Sequence, residues 1–512
     1  MTNWMHGYFA ESGYTYGFYD ETAPLRLHWA ALLQGVLTPT ERFRYLDLGC
    51  GQGLNLILCA AAFPEAEFVG IDFMPEHVAH ARNLITEAGL TNVTVIEGDF
   101  MKLANDPGAL GEFDYVVAHG ITTWVHSEVR DALFSLAGQV MKPGGVMYNS
   151  YNTLPGWLSA WPFQKLVALN LEARGGSGAV ASARDFVKSL KSHNANIAAA
   201  LPTLISRVDA LERQDPAYLV QEYCNANWTP CFSSDMHEEA RNHKLSYLGP
   251  ATLPEAFDGI LPEELRLKLR EETNFELREV MRDIYLNQSF RRDLYVKGAR
   301  RAPRLRHIAA LRAQRLMRNP LCKRPDAQNG FAISAGSLTV TGKFDTYAKV
   351  LDFVESRELT GRVSVGDLAD AMQSDISETV LTVSMLIAGG WLWLEQTQAR
   401  DDGDAFASAL RLNAAIGEGI LAGEPYRYLC LPRCGGAFVF SDLTLMTLAL
   451  ERRNVVRDDI PRELATALSA LGRGVTREGT AVTGMSDILS LLGAEVDNCN
   501  ALKPLLRKVG AL

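Results

Sequence analysis

Three glycines and three aspartates near the N-terminus have types and spacing that could hold a nucleoside joined to an amino acid. The segment Tyr45-Leu-Asp-Leu-Gly-Cys-Gly-Gln-Gly-Leu-Asn55 places Gly49, Gly51 and Gly53 in a G-x-G-x-G turn, with Asp47 two residues ahead and Asn55 two residues beyond. Side chains at those glycines would block a ligand's approach to the backbone. A dinucleotide turn would want its third glycine at position 54, which is Leu54. Asp72, at the end of Phe68-Val-Gly-Ile-Asp72, can accept both hydroxyls of a ribose. Phe73 and Met74 follow and could sandwich an adenine. Asp99 is placed to accept from the adenine amino group, with Phe100 against the ring. Each residue has an ordinary role too, Asp72 as a cap, Asp99 as a turn former, Phe100 as core. In series they read as an S-adenosylmethionine (AdoMet) site.

Such a site needs strands that end together. Tyr45 to Leu48, Phe68 to Asp72, Val93 to Phe100 and Phe113 to His119 are apolar runs of strand length, and Leu54 to Phe63 has a helical pattern. A helix from Ser127 to Met141 leads through Lys142-Pro-Gly-Gly145 into a fifth strand, Val146 to Tyr151. Ligands of open parallel sheets bind at the carboxyl ends of strands, and these ends converge on the glycine turn. Trp157 to about Leu211 reads as helical with a break at Gly175-Gly176-Ser-Gly178. Ala217 to Cys224 reads as strand-like. Ser233 to Lys244 and then Leu245 to Gly249 look like a helix and strand that complete the sheet, which makes the helices between an insertion. After Pro320, two short helices and a ribbon over Val363 to Gln396 suggest a winged-helix-like module whose face is acidic, with Asp367, Asp370, Asp375 and Glu378.

The expected architecture is therefore α/β. A Rossmann-like class I methyltransferase core with an aromatic leader occupies 1–156, a helical insertion and further segment 157–325, and a mainly helical, winged-helix-like domain 326–512.

Composition fits a globular enzyme of two or three domains: 512 residues, 47% apolar and 21% charged, with a net charge of −10. No basic start followed by an apolar run opens the chain, and the apolar stretch Val380 to Trp393 is broken by Thr382, Ser384, Gly389 and Gly390. Neither a signal peptide nor a membrane span is expected, and the expected location is cytoplasmic. Eight scattered cysteines, with only Cys430 and Cys434 close together, read as reduced thiols rather than a metal site. Arg291 to Arg324 holds twelve Lys or Arg residues and one acid, Asp293. A phosphate backbone could sit there. The apolar spacing of Leu305, Ile308, Leu311 and Leu316 favours instead the wet face of a half-buried helix over Arg304 to Arg318.

Phe113-Asp-Tyr-Val-Val-Ala-His-Gly-Ile-Thr-Thr-Trp-Val125 and Ser150-Tyr-Asn-Thr-Leu-Pro-Gly-Trp157 resemble bacterial class I methyltransferases that carry a methyltransferase regulatory domain. Met281 to Leu294 resembles the signature of that regulatory domain, and Gly13-Tyr-Thr-Tyr-Gly-Phe-Tyr-Asp20 is similar to the leader of one branch. The family includes lysine methyltransferases of bacterial outer-membrane proteins, so the resemblance implies a protein acceptor. Where those members carry Tyr-Ser before the tryptophan, this chain has Thr122-Thr123.

Methyl transfer is an in-line displacement that asks the protein for alignment and water exclusion and requires no metal. A lysine acceptor must first lose a proton, which at pH 7 costs about 4–5 kcal/mol for a pKa near 10.4. His119, Trp124, Tyr151 and Asn152, at the ends of the fourth and fifth strands, are the candidates to contact the acceptor, and His119 also the cofactor. Tyr14, Tyr16 and Tyr19 could fold over the site as a lid, with Tyr14 and Tyr19 touching the cofactor. A small molecule or peptide acceptor, or an AdoMet-binding regulatory protein without catalysis, are the alternatives. Nucleic acid fits poorly, because His119-Gly120-Ile121 stands where amino-methylating nucleic-acid enzymes carry an Asn-Pro-Pro-Tyr-type motif. The sequence is silent on oligomeric state.

Overall fold

The computed structural model describes residues 15–298, 300–335, 338–358, 361–396, 406–477 and 480–512. Its centre is a seven-stranded sheet in the order β3-β2-β1-β4-β5-β7-β6. The strands are β1 (Arg44–Leu48), β2 (Glu67–Asp72), β3 (Val93–Glu97), β4 (Phe113–Ala118), β5 (Met141–Asn152), β6 (Leu245–Pro250) and β7 (Phe290–Lys297). β1 to β5 pair in parallel, and β7 runs antiparallel to both β5 and β6. The order reverses between β1 and β4, and the two connections leave on opposite sides of the sheet. That opens a crevice at their carboxyl ends.

The inner parallel strands β1, β2 and β4 are mostly apolar and buried because both faces are covered, whereas the edge strand β3 alternates buried and exposed residues. On one side Leu46, Leu48 and Val116 pack with Phe134 and Met147, while Tyr45, Phe68 and Tyr115 face the other side. Helices α1 (Pro24–Leu33), α2 (Leu54–Ala62), α3 (Pro75–Glu87), α4 (Phe100–Asn105) and α5 (Ser127–Val140) flank the sheet. Every residue of α2 is buried. Its sequence, Leu-Asn-Leu-Ile-Leu-Cys-Ala-Ala-Ala, is apolar apart from Asn55 and needs a second covering layer besides the sheet. The C-terminal region supplies it.

Between β5 and β6 lie α6 (Trp161–Ser192), α7 (Asn196–Ala200), α8 (Pro202–Ala210), α9 (Pro216–Tyr223) and α10 (Ser233–Asn242). The glycine-rich break is real, since Gly175 leaves helical geometry at φ 68°. The strand expected over Ala217 to Cys224 is instead helix α9. Proline at its first position favours a helix start, and Leu219, Val220, Tyr223 and Cys224 form one face against Phe163, Val167 and Trp228. Helices α11 (Glu263–Glu271) and α12 (Phe275–Leu286) precede β7, and α13 (Arg304–Ala313) follows it.

The helix expected over Arg304 to Arg318 ends at Ala313 and gives way to β8 (Arg315–Arg318), so the basic run is divided among a strand, a helix and a second strand. Leu305 is 82% exposed, so the apolar spacing marks a buried side only in part. Several of the cations have acidic partners: Arg312 with Asp370, Arg318 with Glu355, Arg324 with Asp352. Arg291, inside β7, is buried among Glu279, Asp283 and Asp293.

The C-terminal region contains β9 (Phe331–Ala335), β10 (Leu338–Gly342), α14 (Phe344–Glu358), β11 (Val363–Ser364), α15 (Val365–Met372), α16 (Ile376–Ala388) and β12 (Leu392–Glu395). Two helices and a strand follow in the expected order, and β12 pairs with β8. Then come α17 (Ala407–Ala422), β13 (Tyr428–Leu431), β14 (Gly436–Val439), α18 (Asp442–Arg452), α19 (Ile460–Ala470) and α20 (Met485–Lys508). Leu412, Ile416 and Cys430 share one hydrophobic cluster with Leu54, Ile57 and Leu58 of α2. Among the described residues no helix is long and apolar enough to cross a membrane, and no group of His, Cys, Asp and Glu side chains could hold a metal ion.

Candidate active site

The glycine turn between β1 and α2 is left-handed at Gly49 (φ 79°) and Gly53 (φ 76°). A Cβ on Gly49 would lie 2.6 Å from Ile121 Cδ1, and one on Gly53 2.6 Å from Ala81 Cβ. Both geometry and space therefore demand glycine. Asp72 ties the turn to β2: its Oδ2 accepts from the Gly51 N–H at 2.8 Å, and its Oδ1 accepts from the Met74 N–H at 2.9 Å. His77 Nδ1 lies 3.2 Å from the same Oδ1. A carboxylate offers about four acceptor positions, so Oδ2 keeps one for a ligand hydroxyl.

Around this turn lie two connected hollows. The larger, of about 790 Å³, is lined by Asp72, Phe73, Met74, His77, Asp99, Phe100, Ile121 and Trp124 among others. The smaller, of about 410 Å³, is lined by Tyr19, Asp47, Gly53 and Asn55. Gly49, Gly51 and His119 border both. The first is apolar with carboxylates at its edge, the shape a nucleoside needs. Asp99 also caps α4, accepting from the Met101 N–H at 2.8 Å. In the second, burial and then the neighbouring Asp72 push the Asp47 carboxyl up to about 7, against a hydrogen bond from Asn55. A ligand ammonium would relieve that cost.

Leader residues Thr15, Gly17 and Tyr19 border the smaller hollow. The Tyr19 N–H donates to Asn55 Oδ1 at 3.0 Å, and its ring stacks on His119 with centroids 3.9 Å apart. Tyr16 packs edge-on against His80 and Tyr426, at 4.9 and 5.7 Å between centroids. Tyr14 lies outside the described residues. His119 Nδ1 sits 3.0 Å from the Tyr148 hydroxyl and 3.2 Å from Ser150 Oγ. Burial and then Arg292 drive its pKa down to about 4, with Glu21 opposing, so the imidazole is neutral near pH 7.

The remaining candidates fall behind this surface. Tyr151 is fully buried and donates to Asp293 Oδ2 at 2.6 Å, on the side of the sheet where Met236 and Tyr295 pack. It does not line the cleft, so the direct contact expected of it is replaced by an internal hydrogen bond. Asn152 is also buried and donates from Nδ2 to Glu222 Oε1 at 2.7 Å. Trp124, by contrast, forms part of the cleft wall.

Four residues went unnoticed in the sequence. His77 and Gln52 carry no motif of their own. Glu222 and Tyr218 stand four apart, the spacing of neighbours on one helix face, but that signal was hidden by reading their segment as a strand.

Comparison with known proteins agrees with this geometry. A family model described as a methyltransferase domain matches residues 39–199, and one described as a predicted methyltransferase regulatory domain matches residues 215–297. The second match runs from α9 to β7 and so includes both strands that finish the sheet. The uncharacterized protein sll1526 of Synechocystis is 31% identical over 99% of this chain and 99% of its own length. RP789 of Rickettsia prowazekii is 29% identical over 54% of this chain and 50% of its own length. The structure of PKMT2 from Rickettsia typhi in complex with AdoHcy covers 95% of this chain and 98% of its own, at 20% identity and a TM-score of 0.69, which shows a common fold.

Proposed function

The chain belongs to the family of S-adenosylmethionine-dependent class I methyltransferases that carry a methyltransferase regulatory domain, and on that premise we propose that it methylates the side-chain amine of lysine in a protein substrate. The observation that carries this reading is the aromatic lining of the two hollows: Trp124 in the larger, Tyr19 in the smaller, and His119, on which Tyr19 stacks, bordering both. Aromatic faces attract a cation and exclude the water that would keep an amine protonated.

The residues present fit the cofactor. When bound, AdoMet supplies a methyl group on a cationic sulfur. The left-handed glycines leave the backbone bare for it, Asp72 offers a free lone pair to the ribose, and Asp99 with Phe73, Met74 and Phe100 frames the adenine. Asp47, buried without a cation, takes the α-ammonium, with Asn55 and Tyr19 closing that end. Among the catalytic candidates, Trp124 and His119 face the acceptor. Asn152 acts from behind as a positioning residue, while Tyr151, held on Asp293, serves the fold.

A small-molecule acceptor is the second reading, favoured by the Tyr19 ring lying over His119 and closing that side of the cleft. Transfer of radiolabelled methyl from AdoMet into fractionated lysate tests both. Base-stable label on protein that maps to lysine supports the first reading. Label confined to the small-molecule fraction replaces it with the second.

A further inference from the structure

Buried carboxylates in this protein mostly come with a cation. Glu279, Asp283 and Asp293 share Arg291, and Glu395 lies against Arg433. Glu222 is different. Its side chain, on a residue only 3% exposed, is met by neutral donors alone. Asn152 Nδ2 donates at 2.7 Å and Trp228 Nε1 at 3.4 Å to Oε1, and the Tyr218 hydroxyl donates at 3.3 Å to Oε2. Trp124 faces it as well, from the cleft wall. Among the described residues no Lys, Arg or His makes an ion pair with it. Burial pushes its carboxyl up to about 7, against the pull of those four donors. A charge held this way is costly unless something cationic arrives.

The surroundings describe what arrives. Trp228 stacks edge-on with Trp157 at 5.4 Å and with Trp161 at 5.9 Å, and Trp157 also touches Tyr223. Trp161 is 41% and Leu158 49% exposed, so a chain of aromatic contacts runs from the surface of the molecule to the residues around the carboxylate. On the inner side, Trp124 is common to Glu222 and the cofactor cleft. A slender apolar chain ending in a cation suits such surroundings, with aromatic side chains for the stem and one anion for the end.

We propose that Glu222, framed by Trp124, Trp228 and Tyr218, is the acceptor subsite: it receives the ammonium of an incoming primary amine, which takes the place of the long Tyr218 contact at 3.3 Å, and it accepts the amine's proton before methyl transfer. The inference rests on the lysine reading above and names the group that performs its first step. One N–H bond of the ammonium breaks, its electron pair stays on nitrogen, and the proton passes to a Glu222 oxygen. The freed pair then forms the N–C bond as the carbon–sulfur bond breaks and its electrons remain on sulfur. The product leaves as a methylated ammonium, and Glu222 returns its proton to water.

The test is the binding of n-butylammonium, a lysine side-chain analogue, to the full chain saturated with AdoHcy, followed by ligand-observed NMR beside the neutral 1-pentanol. Wild type should bind the ammonium at least tenfold more tightly than the alcohol. Glu222→Gln, which keeps the shape, should lose at least tenfold in ammonium binding, with AdoHcy affinity and melting temperature close to wild type. Equal binding of alcohol and ammonium by wild type, or no saturable ammonium binding, overturns the proposal even if the variant fails to fold. So does undiminished binding by Glu222→Gln. If lysate label maps to protein lysine while Glu222→Gln binds normally, this subsite is overturned and the lysine reading stands. If label appears only on small-molecule amines while ammonium binding depends on Glu222, the lysine reading falls and the subsite stands.

Discussion

The Tyr426 hydroxyl lies 2.7 Å from His80 Nε2, and the other nitrogen of that ring lies 2.7 Å from the carbonyl oxygen of Gln52. Two hydrogen bonds therefore connect the C-terminal region to the middle of the glycine turn. Tyr16 packs on both His80 and Tyr426, so the leader closes over the same joint. The covering layer of α2 thus also holds the loop that must stay bare for the cofactor.

Tyr426→Phe should weaken AdoMet binding about fivefold, the effect of one hydrogen bond worth about 1 kcal/mol. Isothermal titration calorimetry measures it. An unchanged dissociation constant would show that the turn keeps its shape without this link.

Asp72→Ala removes the acceptor for the Gly51 and Met74 N–H groups together with the contact proposed for the ribose. The expected loss in AdoMet affinity is about 2 kcal/mol, as for charge-assisted hydrogen bonds. Equal affinity of variant and wild type would displace Asp72 from the cofactor site.

Tyr151→Phe should act on stability and not on chemistry. Its hydroxyl is buried on Asp293, and deleting it leaves an acceptor less satisfied, at a cost of about 1–3 kcal/mol. Urea denaturation should report that loss while kcat per folded molecule stays at the wild-type value. A large fall in kcat with unchanged stability would return Tyr151 to the reacting groups.

Two histidines should make the fold acid-sensitive in a defined window. Burial lowers His28 to about 4, and burial with Arg292 lowers His119 to about 4, from the ordinary 6.5. Below pH 6.5 the unfolded chain binds protons that the folded chain refuses, so stability falls as pH drops from about 6.5 to about 4. For His28 the full effect is up to about 3 kcal/mol. Denaturation midpoints between pH 4 and 7 give the slope. His28→Asn should flatten it, and an unaltered slope would exclude this histidine as its source.

The sequence alone determined the parallel half of the sheet and the ligand turn, because both are local. Strands β1 to β5 are short apolar runs bounded by turns, and Gly49, Gly51, Gly53, Asp72 and Asp99 lie at their ends. Only the tertiary structure decided what stands opposite them. Arg291 and Asp293 looked like part of a basic surface and became a buried ion cluster in β7, because antiparallel pairing with β5 and β6 drew that segment into the sheet. Glu222 looked like a polar residue in a strand; helix α9 turned it inward to meet Asn152, seventy positions earlier. Whether a polar side chain in a half-apolar segment is wet or buried depends on packing partners distant in the chain, and local pattern carries no record of them.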